Sequence, residues 1–337
     1  NTVTWTATAS RHVITGVGFS PDWVWGKKRS NADNHAIVDS VRGPTKEIRS
    51  NTTDAEATAS NGVESFDSDG FTLVGSGAGS GVWNGNSGHT HVAWNWLAGT
   101  AFSNSSGSNG ANVDSSGQVN TTAGFSIVSY TATGTAGTIA HGLSAAPEFI
   151  IVKHRDQGST YWPVYYGDNT DALYLNDTAA TTDDANAWND TSPTSTVFSV
   201  GANGGDTNNS SGGATIAYCF HSVVGYSKVG SFVGNGNADG PFVFTGHRPS
   251  FLLIKRTDAA GTNWWIFDNK RSTFNVVNDG IITNGSDAEF ADNSSLLIDF
   301  LSNGFKVRNT YGDLNTSGAN HIFLSLADQP AKFSNAR

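Results

Sequence analysis

A pattern that occurs three times constrains the fold of this chain more than any other sequence feature. Each copy consists of a proline, one residue of any type, an aromatic residue, an aliphatic residue, two further residues and a lysine. The prolines and lysines that bound the copies are Pro21 and Lys27, Pro147 and Lys153, and Pro249 and Lys255. Similar apolar segments precede and follow every copy in the same order, which indicates one unit present three times.

The spacing of the pattern divides the chain into three units. We name them the first, second and third repeat and expect them at residues 1–99, 124–225 and 226–337. Each is about 100 residues long, which is enough to bury a core of its own. Residues 100–123 are rich in Ser, Asn and Gly, a composition typical of a linker or a long surface loop.

Short alternating and apolar segments predict an all-β fold. Val3, Trp5 and Ala7 alternate with threonines, as in a half-buried strand. Asp69-Gly70 and Asn303-Gly304 predict hairpins, and a proline ahead of each repeated strand does no harm to its hydrogen-bond ladder. We therefore expect three tandem β-sandwich modules of the jelly-roll or concanavalin-like type.

Charge and composition exclude several classes of function. The net charge is −10 and no run of Lys and Arg is present, which argues against nucleic-acid binding. No apolar run has the length of a membrane span, so we expect no membrane insertion. Cys219 is the only cysteine, which excludes an intrachain disulfide and a cysteine-based zinc site.

No group of residues matches a catalytic motif. The glycine-rich stretch 75–81 lacks the Gly-Lys-Ser/Thr of a phosphate-binding loop. His89 and His91 would share a strand face, but a metal site needs a third ligand, which the sequence does not nominate. The acidic stretch 177–190 is either a calcium-binding loop or a solvated one. We predict that the chain is not an enzyme and has no catalytic residues, cofactor or metal.

The three repeated lysines, Lys27, Lys153 and Lys255, favour an architectural role. Each is expected to end a strand, with its aliphatic stem on apolar surface and its ammonium group in water. Asp39 and Asp268, one strand further along, are the expected ionic partners.

Tryptophan offers a binding chemistry, because an indole on a β surface can stack on a sugar ring. The candidates for glycan contact are Trp83, Trp94, Trp96 and Trp188, and the alternative is that they belong to the core. Asn-x-Ser/Thr triplets occur at Asn51, Asn176 and Asn284, and we attribute them to composition.

Several segments resemble repeated modules of tailed phages, especially marine ones. They are residues 18–25, 39–43, 142–153, 234–256 and 329–337. Such modules are described as tail-fibre or other virion structural proteins. The resemblance implies a virion location and offers no catalytic residues to carry over. We expect a virion or extracellular location, with partners among other virion proteins and host-surface glycans. We also expect self-association, with a homotrimer as the first choice.

These observations predict a virion structural and adhesive protein, such as a tail-fibre or appendage component. One alternative is a carbohydrate-binding, lectin-like protein. Another is an extracellular bacterial surface or filament protein. A polysaccharide depolymerase is least favoured, because the glutamates are few and none recurs among the repeats.

Overall fold

The computed structural model describes residues 1–75, 81–202, 206–208 and 211–328. Most of the glycine-rich stretch 75–81, and the segment 329–337 that contributes to the phage resemblance, lie outside the described residues. The described chain is all-β, with many antiparallel strands and two helices of a single turn.

The strands follow one another in chain order, joined by turns. The first repeat contains β1 (Thr2–Thr6), β2 (His12–Thr15), β3 (Trp23–Lys28), β4 (His35–Asp39), β5 (Gly43–Ile48), β6 (Ala57–Thr58), β7 (Val63–Asp67), β8 (Gly70–Leu73) and β9 (Thr90–Trp96). The next part of the chain contains β10 (Thr100–Asn104), β11 (Ser115–Asn120), β12 (Phe125–Thr131), β13 (Gly137–Ala140), β14 (Phe149–His154), β15 (Val164–Tyr165), β16 (Asp171–Ala172), β17 (Thr182–Asp183), α1 (Ala185–Trp188), β18 (Val197–Val200) and β19 (Ala214–Phe220). The last part contains β20 (Ser227–Val233), β21 (Phe242–Phe244), β22 (Phe251–Arg256), β23 (Trp264–Asp268), β24 (Ile281–Ile282), β25 (Ile298–Leu301), β26 (Gly304–Val307), α2 (Gly312–Asn315) and β27 (Asn320–Leu326).

Three large antiparallel sheets have the same central strand order. The orders are β1-β9-β3-β4-β5-β6, β10-β11-β12-β19-β14-β15 and β20-β27-β22-β23-β24. In each sheet, the strand that follows the repeated proline lies between the last strand of its repeat and the next strand along the chain. These strands, β3, β14 and β22, start two residues after their prolines, as the sequence predicts.

Smaller sheets lie over one face of the large ones. Their orders are β2-β8-β7, β13-β18 and β21-β26-β25. In the first repeat, Val24 and Val38 of the large sheet pack with Phe71 of the small sheet in one buried cluster. Equivalent clusters occur in the second and third repeats. The predicted hairpins are present as β7–β8 and β25–β26.

The opposite faces of the three large sheets meet in one shared core. Because alternate residues of a strand share a face, the same positions of β3, β14 and β22 point into this core. Trp23 of the first repeat lies 4.5 Å from Tyr218 of the second, measured between ring centroids. Trp96 lies 5.4 Å from Phe251 of the third repeat. Phe149 and Trp264, 6.4 Å apart, join the second repeat to the third. Every pair of repeats is therefore in contact around one interior.

The segment predicted as a linker is part of a sheet. Within residues 100–123, β10 and β11 pair with each other, and β11 pairs with β12. The prediction of a linker is wrong because a strand pair at the edge of a sheet needs few apolar side chains. Val119 and Phe102 pack against the outer cluster of the second repeat, while most of their neighbours are polar.

Candidate functional site

The four tryptophans considered for glycan contact are buried. Trp83 and Trp94 are 1% exposed, Trp96 is 5% exposed and Trp188 is fully buried. Trp94 Nε1 donates to Asp268 Oδ2 at 2.9 Å, and Trp83 Nε1 donates to Glu47 Oε2 at 2.9 Å. An enclosed ring has no free face for a sugar, so the core alternative describes these residues and the expectation of glycan contact is wrong for them.

The repeated lysines are also buried, and their ammonium groups do not lie in water. Strand pairing sets Lys27 opposite His35 and sets Asp39 opposite Trp23, at the other end of β3. Lys255 lies opposite Trp264 in the same way, with Asp268 opposite Phe251. The predicted pairs of lysine with Asp39 and Asp268 are therefore wrong, because antiparallel pairing places the two groups at opposite strand ends.

Each lysine instead forms a hydrogen bond with a neighbouring repeat. The Nζ atoms donate to main-chain carbonyls, from Lys27 to Ser286 O (3.3 Å), from Lys153 to Thr53 O (3.2 Å) and from Lys255 to Thr178 O (3.4 Å). Each Nζ also donates to a carbonyl within its own repeat, such as Asp33 O for Lys27 and Thr160 O for Lys153. Burial lowers the pKa of all three lysines to about 8.

A main-chain bond accompanies each lysine contact. The donor is the main-chain N–H of the residue three positions after the one whose carbonyl the lysine binds. The acceptor is the main-chain carbonyl of the residue two positions after that lysine. The pairs are Glu289 N to Arg29 O (2.9 Å), Glu56 N to Arg155 O (2.7 Å) and Thr181 N to Thr257 O (2.9 Å). We name the segments that supply these groups, residues 51–56, 176–181 and 284–289, the latch segments. The first binds the second repeat, the second binds the third, and the third binds the first, which closes a ring.

The latch segments start with the Asn-x-Ser/Thr triplets that the sequence analysis attributed to composition. The Asn side chains accept main-chain N–H groups through Oδ1, from His35 to Asn51, from Trp162 to Asn176 and from Trp264 to Asn284, each at 2.9 Å. The third residue of each triplet supplies the carbonyl that a lysine binds. The triplet recurs at the same place in all three copies, and this recurrence is the sequence signal for the contacts between repeats.

His35 takes a special part in the contact between the first and third repeats. Trp25 Nε1 donates to its Nδ1, and its Nε2 bonds the carbonyl of Ile282, both at 2.9 Å. Burial, with a contribution from the charge of Lys27, lowers the pKa of His35 to about 3. Trp162 and Trp264 occupy the equivalent position in the other repeats, and each donates its indole N–H to a carbonyl of the preceding repeat.

Buried charges reinforce two of the three contacts. Arg42 binds Asp39 at 2.6 Å and Glu56 at 3.1 Å, and Glu56 also binds Arg155 of the second repeat at 2.7 Å. The same series recurs between the third and first repeats, where Arg271 binds Asp268 and Glu289, and Glu289 binds Arg29 at 2.8 Å. Between the second and third repeats, Thr181 and Thr257 stand in the places of the glutamate and the second arginine.

The second repeat also differs from the others beside its latch segment. In the first and third repeats, Asn34 and Asn263 accept the Nδ2 groups of Asn51 and Asn284 at 2.9 Å. The second repeat has Tyr161 at this position. Its side chain is 42% exposed, and its ring centroid lies 5.1 Å from that of Tyr174. Of the three described residues at this position, Asn34, Tyr161 and Asn263, only Tyr161 is aromatic.

Among the described residues, no three His, Cys, Asp or Glu side chains are grouped so that they could bind a metal ion. His89 bonds Ser30 Oγ through Nδ1, and His91 bonds the carbonyl of His89. The described helices are too short to cross a bilayer.

Comparison with curated proteins and with solved structures found no match. One family profile matches residues 1–330, and its description is Domain of unknown function (DUF7483). Since the match covers nearly the whole chain, the protein belongs to the DUF7483 family.

Proposed function

We propose that this protein is a structural and adhesive component of a tailed-phage particle, such as a tail fibre or appendage. The observation that carries the proposal is the closed ring of latch segments. A component that bears mechanical load must keep its parts in fixed positions. Here every repeat is bonded to both others and shares one interior with them. The resemblance of the repeated segments to phage modules supports the location.

We propose further that each large sheet and its smaller sheet form one β-sandwich module, giving three tandem modules. The separate buried cluster on the outer face of each large sheet supports this organisation. Two layers with a core between them are the usual solution for a sheet that is apolar on one face. In this arrangement the other face of each large sheet packs in the interior that the three repeats share.

The location can be tested on virus particles. Antibodies raised against the chain should label the tail or its appendages in electron micrographs, and the chain should co-purify with intact particles. Labelling of the bacterial cell surface without labelling of particles would instead support the filament alternative. Release of reducing ends from host capsule by the purified chain would support the depolymerase alternative.

The homotrimer expected from the sequence stays a prediction, which native mass spectrometry tests. One chain already closes the three latch contacts by itself, so these contacts need no second copy. A homotrimer would have to form through other surfaces.

A further inference from the structure

Exposed apolar side chains lie together on the outer face of the small sheet in the third repeat. We name them the outer patch, which consists of Phe242, Phe244, Phe274 and Val276. In that order they are 47%, 64%, 82% and 40% exposed. At about 200 Å² for a whole phenylalanine side chain, the three rings alone expose about 400 Å². Contiguous apolar surface of this size on a folded chain usually marks an interaction site.

The two edges of the small sheet hold the members of the patch. The two phenylalanines of β21 flank the buried Val243, so both point outwards. At the other edge, the side chain of Asn275 bonds the main-chain N–H and C=O of Phe300 in β25. The residues on either side of Asn275 are the other two members of the patch. Between the edges lie Leu301, which is half-buried, and Gly304, which has no side chain to cover the face.

The corresponding face of the first repeat is more polar. The residue opposite the hairpin glycine is Thr15 in the first repeat and Phe244 in the third. The residue across the hairpin from that glycine is Asp67 in the first repeat and Leu301 in the third. Since both repeats form the same small sheet, the fold itself does not require apolar side chains here.

Two charged side chains cross the patch in an order that suits a second copy of the same surface. Strand pairing places Lys306 opposite Phe242 on one side and opposite Asp299 on the other. The chain neighbours of both charged residues are buried, so both side chains point outwards. A two-fold axis that runs along the strands reverses the order in a second copy. Each lysine then faces an aspartate, whereas a contact in the unreversed order would place like charges together.

The net charge near the patch does not oppose such a contact. The whole chain has a net charge of −10, which would keep copies apart at most surfaces. Here Lys306 binds Asp239 at 2.7 Å, and Arg308 binds Asp299 at 3.4 Å. These two cations and two anions balance, so the face is locally neutral.

We propose that the outer patch is the surface through which two copies of this chain associate, face to face about a two-fold axis. Lys306 of each copy faces Asp299 of the other, and Phe244 of each packs against Phe274 of the other. The two faces together remove about 800 Å² of ring surface from water, which is an apolar centre for a contact of roughly 1,200–2,000 Å². Because both copies use the same patch, the contact closes as a dimer.

Sedimentation velocity of the full chain at about 1 to 100 µM tests the proposal and should show a monomer–dimer equilibrium. Phe244→Thr should weaken the dimer at least about tenfold, equivalent to 1.4 kcal/mol. Threonine is compatible with the fold, because Thr15 occupies the equivalent position in the first repeat. The urea midpoint of this variant at low concentration should equal that of the unaltered chain.

The charges test the two-fold arrangement separately. Lys306→Glu should weaken the dimer, because it places like charges together across the contact, and adding Asp299→Lys should restore it. Val224→Ser is the matched control, since Val224 is an apolar residue, 89% exposed, outside the patch. It should leave the dimer unchanged.

Three results would overturn the proposal. They are a chain that stays monomeric over the whole concentration range, a dimer that Phe244→Thr does not weaken, and a double charge variant that fails to recover the association lost in Lys306→Glu. Particle labelling does not depend on this contact. A chain that labels particles yet stays monomeric would therefore refute the dimer and leave the virion location standing.

Discussion

At the scale of the residue, the molecule contains ionisable side chains that burial keeps out of water. The three repeated lysines donate to carbonyls, and His35 bridges an indole and a carbonyl. None of these bonds requires an opposite charge on the partner atom. Their pKa values are therefore lowered by desolvation, and the stability of the fold depends on pH.

The lysines predict that stability rises with pH above 8. Their pKa is about 8 in the folded chain against 10.5 for a solvated lysine. Between these values the unfolded chain binds more protons, so raising the pH favours the folded state. We expect a gain of about 1–2 kcal/mol per lysine from pH 8 to pH 10, measured by urea unfolding. Lys153→Met should reduce this gain by the amount that Lys153 contributes. A free energy of unfolding that does not change from pH 8 to pH 10 would contradict the lowered pKa values of the lysines.

His35 predicts that the fold loses stability in mild acid. Its pKa is about 3 in the folded chain against 6.5 in solution, so the unfolded chain takes up the extra proton as the pH falls below 6.5. His35→Gln keeps an acceptor for Trp25 and a donor for Ile282. The free energy of unfolding of the unaltered chain should fall as the pH is lowered from about 6 to 5. We expect His35→Gln to make this fall smaller by about 1.4 kcal/mol per pH unit. An unchanged slope would show that His35 is not buried in its neutral form.

At the scale of the element, the latch segments determine how the repeats are joined. Each combines an Asn that binds its own sheet with a carbonyl and an amide that bind the next repeat. In two of them a glutamate lies between two arginines. A buried charge that loses its partner costs more than a solvent-exposed pair contributes.

Glu289→Gln should therefore be costly. The substitution leaves Arg271, whose side chain is fully buried, with Asp268 as its remaining ionic partner, and it removes the ion pair to Arg29. We expect the free energy of unfolding to fall by about 2–4 kcal/mol in urea titrations. Glu64→Gln, which breaks the exposed pair with Arg11, is the control and should cost less than about 1 kcal/mol. Equal effects of the two substitutions would contradict a role for the buried series.

Much of the element content could be predicted from the sequence. Pro21, Pro147 and Pro249 mark the strands that follow them, and the turn residues mark two hairpins. The partners of Lys27 and Lys255 in the neighbouring repeats, Ser286 and Thr178, could not be predicted, because these contacts depend on how the sheets are arranged. The hairpin at residues 100–120 was missed, because a polar edge strand and a loop have similar compositions.

At the scale of the whole molecule, the shared interior is the feature that local patterns do not reveal. A run such as Ile150 to Val152 shows that both faces of a strand are covered, which the structure confirms. It does not say whether the second face meets the same repeat or another one. The structure shows that the second face meets other repeats, as in the contacts of Trp23 with Tyr218 and of Trp96 with Phe251.

The shared interior predicts that damage in one repeat is felt in the others. Trp94→Ala removes a buried indole that packs edge-on against Phe251 at 6.0 Å and donates to Asp268. We expect a loss of about 3–5 kcal/mol and faster amide hydrogen exchange in β22 and β23 of the third repeat as well as in β9. Heating should show one cooperative transition. Faster exchange confined to the first repeat would contradict a common core.

The ring closed within a single polypeptide has a genetic consequence. In an assembly of three identical chains, one codon change alters three sites at once, so a substitution that removes a structural hydrogen bond removes it everywhere. In this chain each copy is encoded separately. Tyr161 could therefore replace an asparagine in one copy while Asn34 and Asn263 keep their bonds in the other two. Because the copies are joined in one chain, one of them can change in sequence while only one of the equivalent hydrogen bonds is lost.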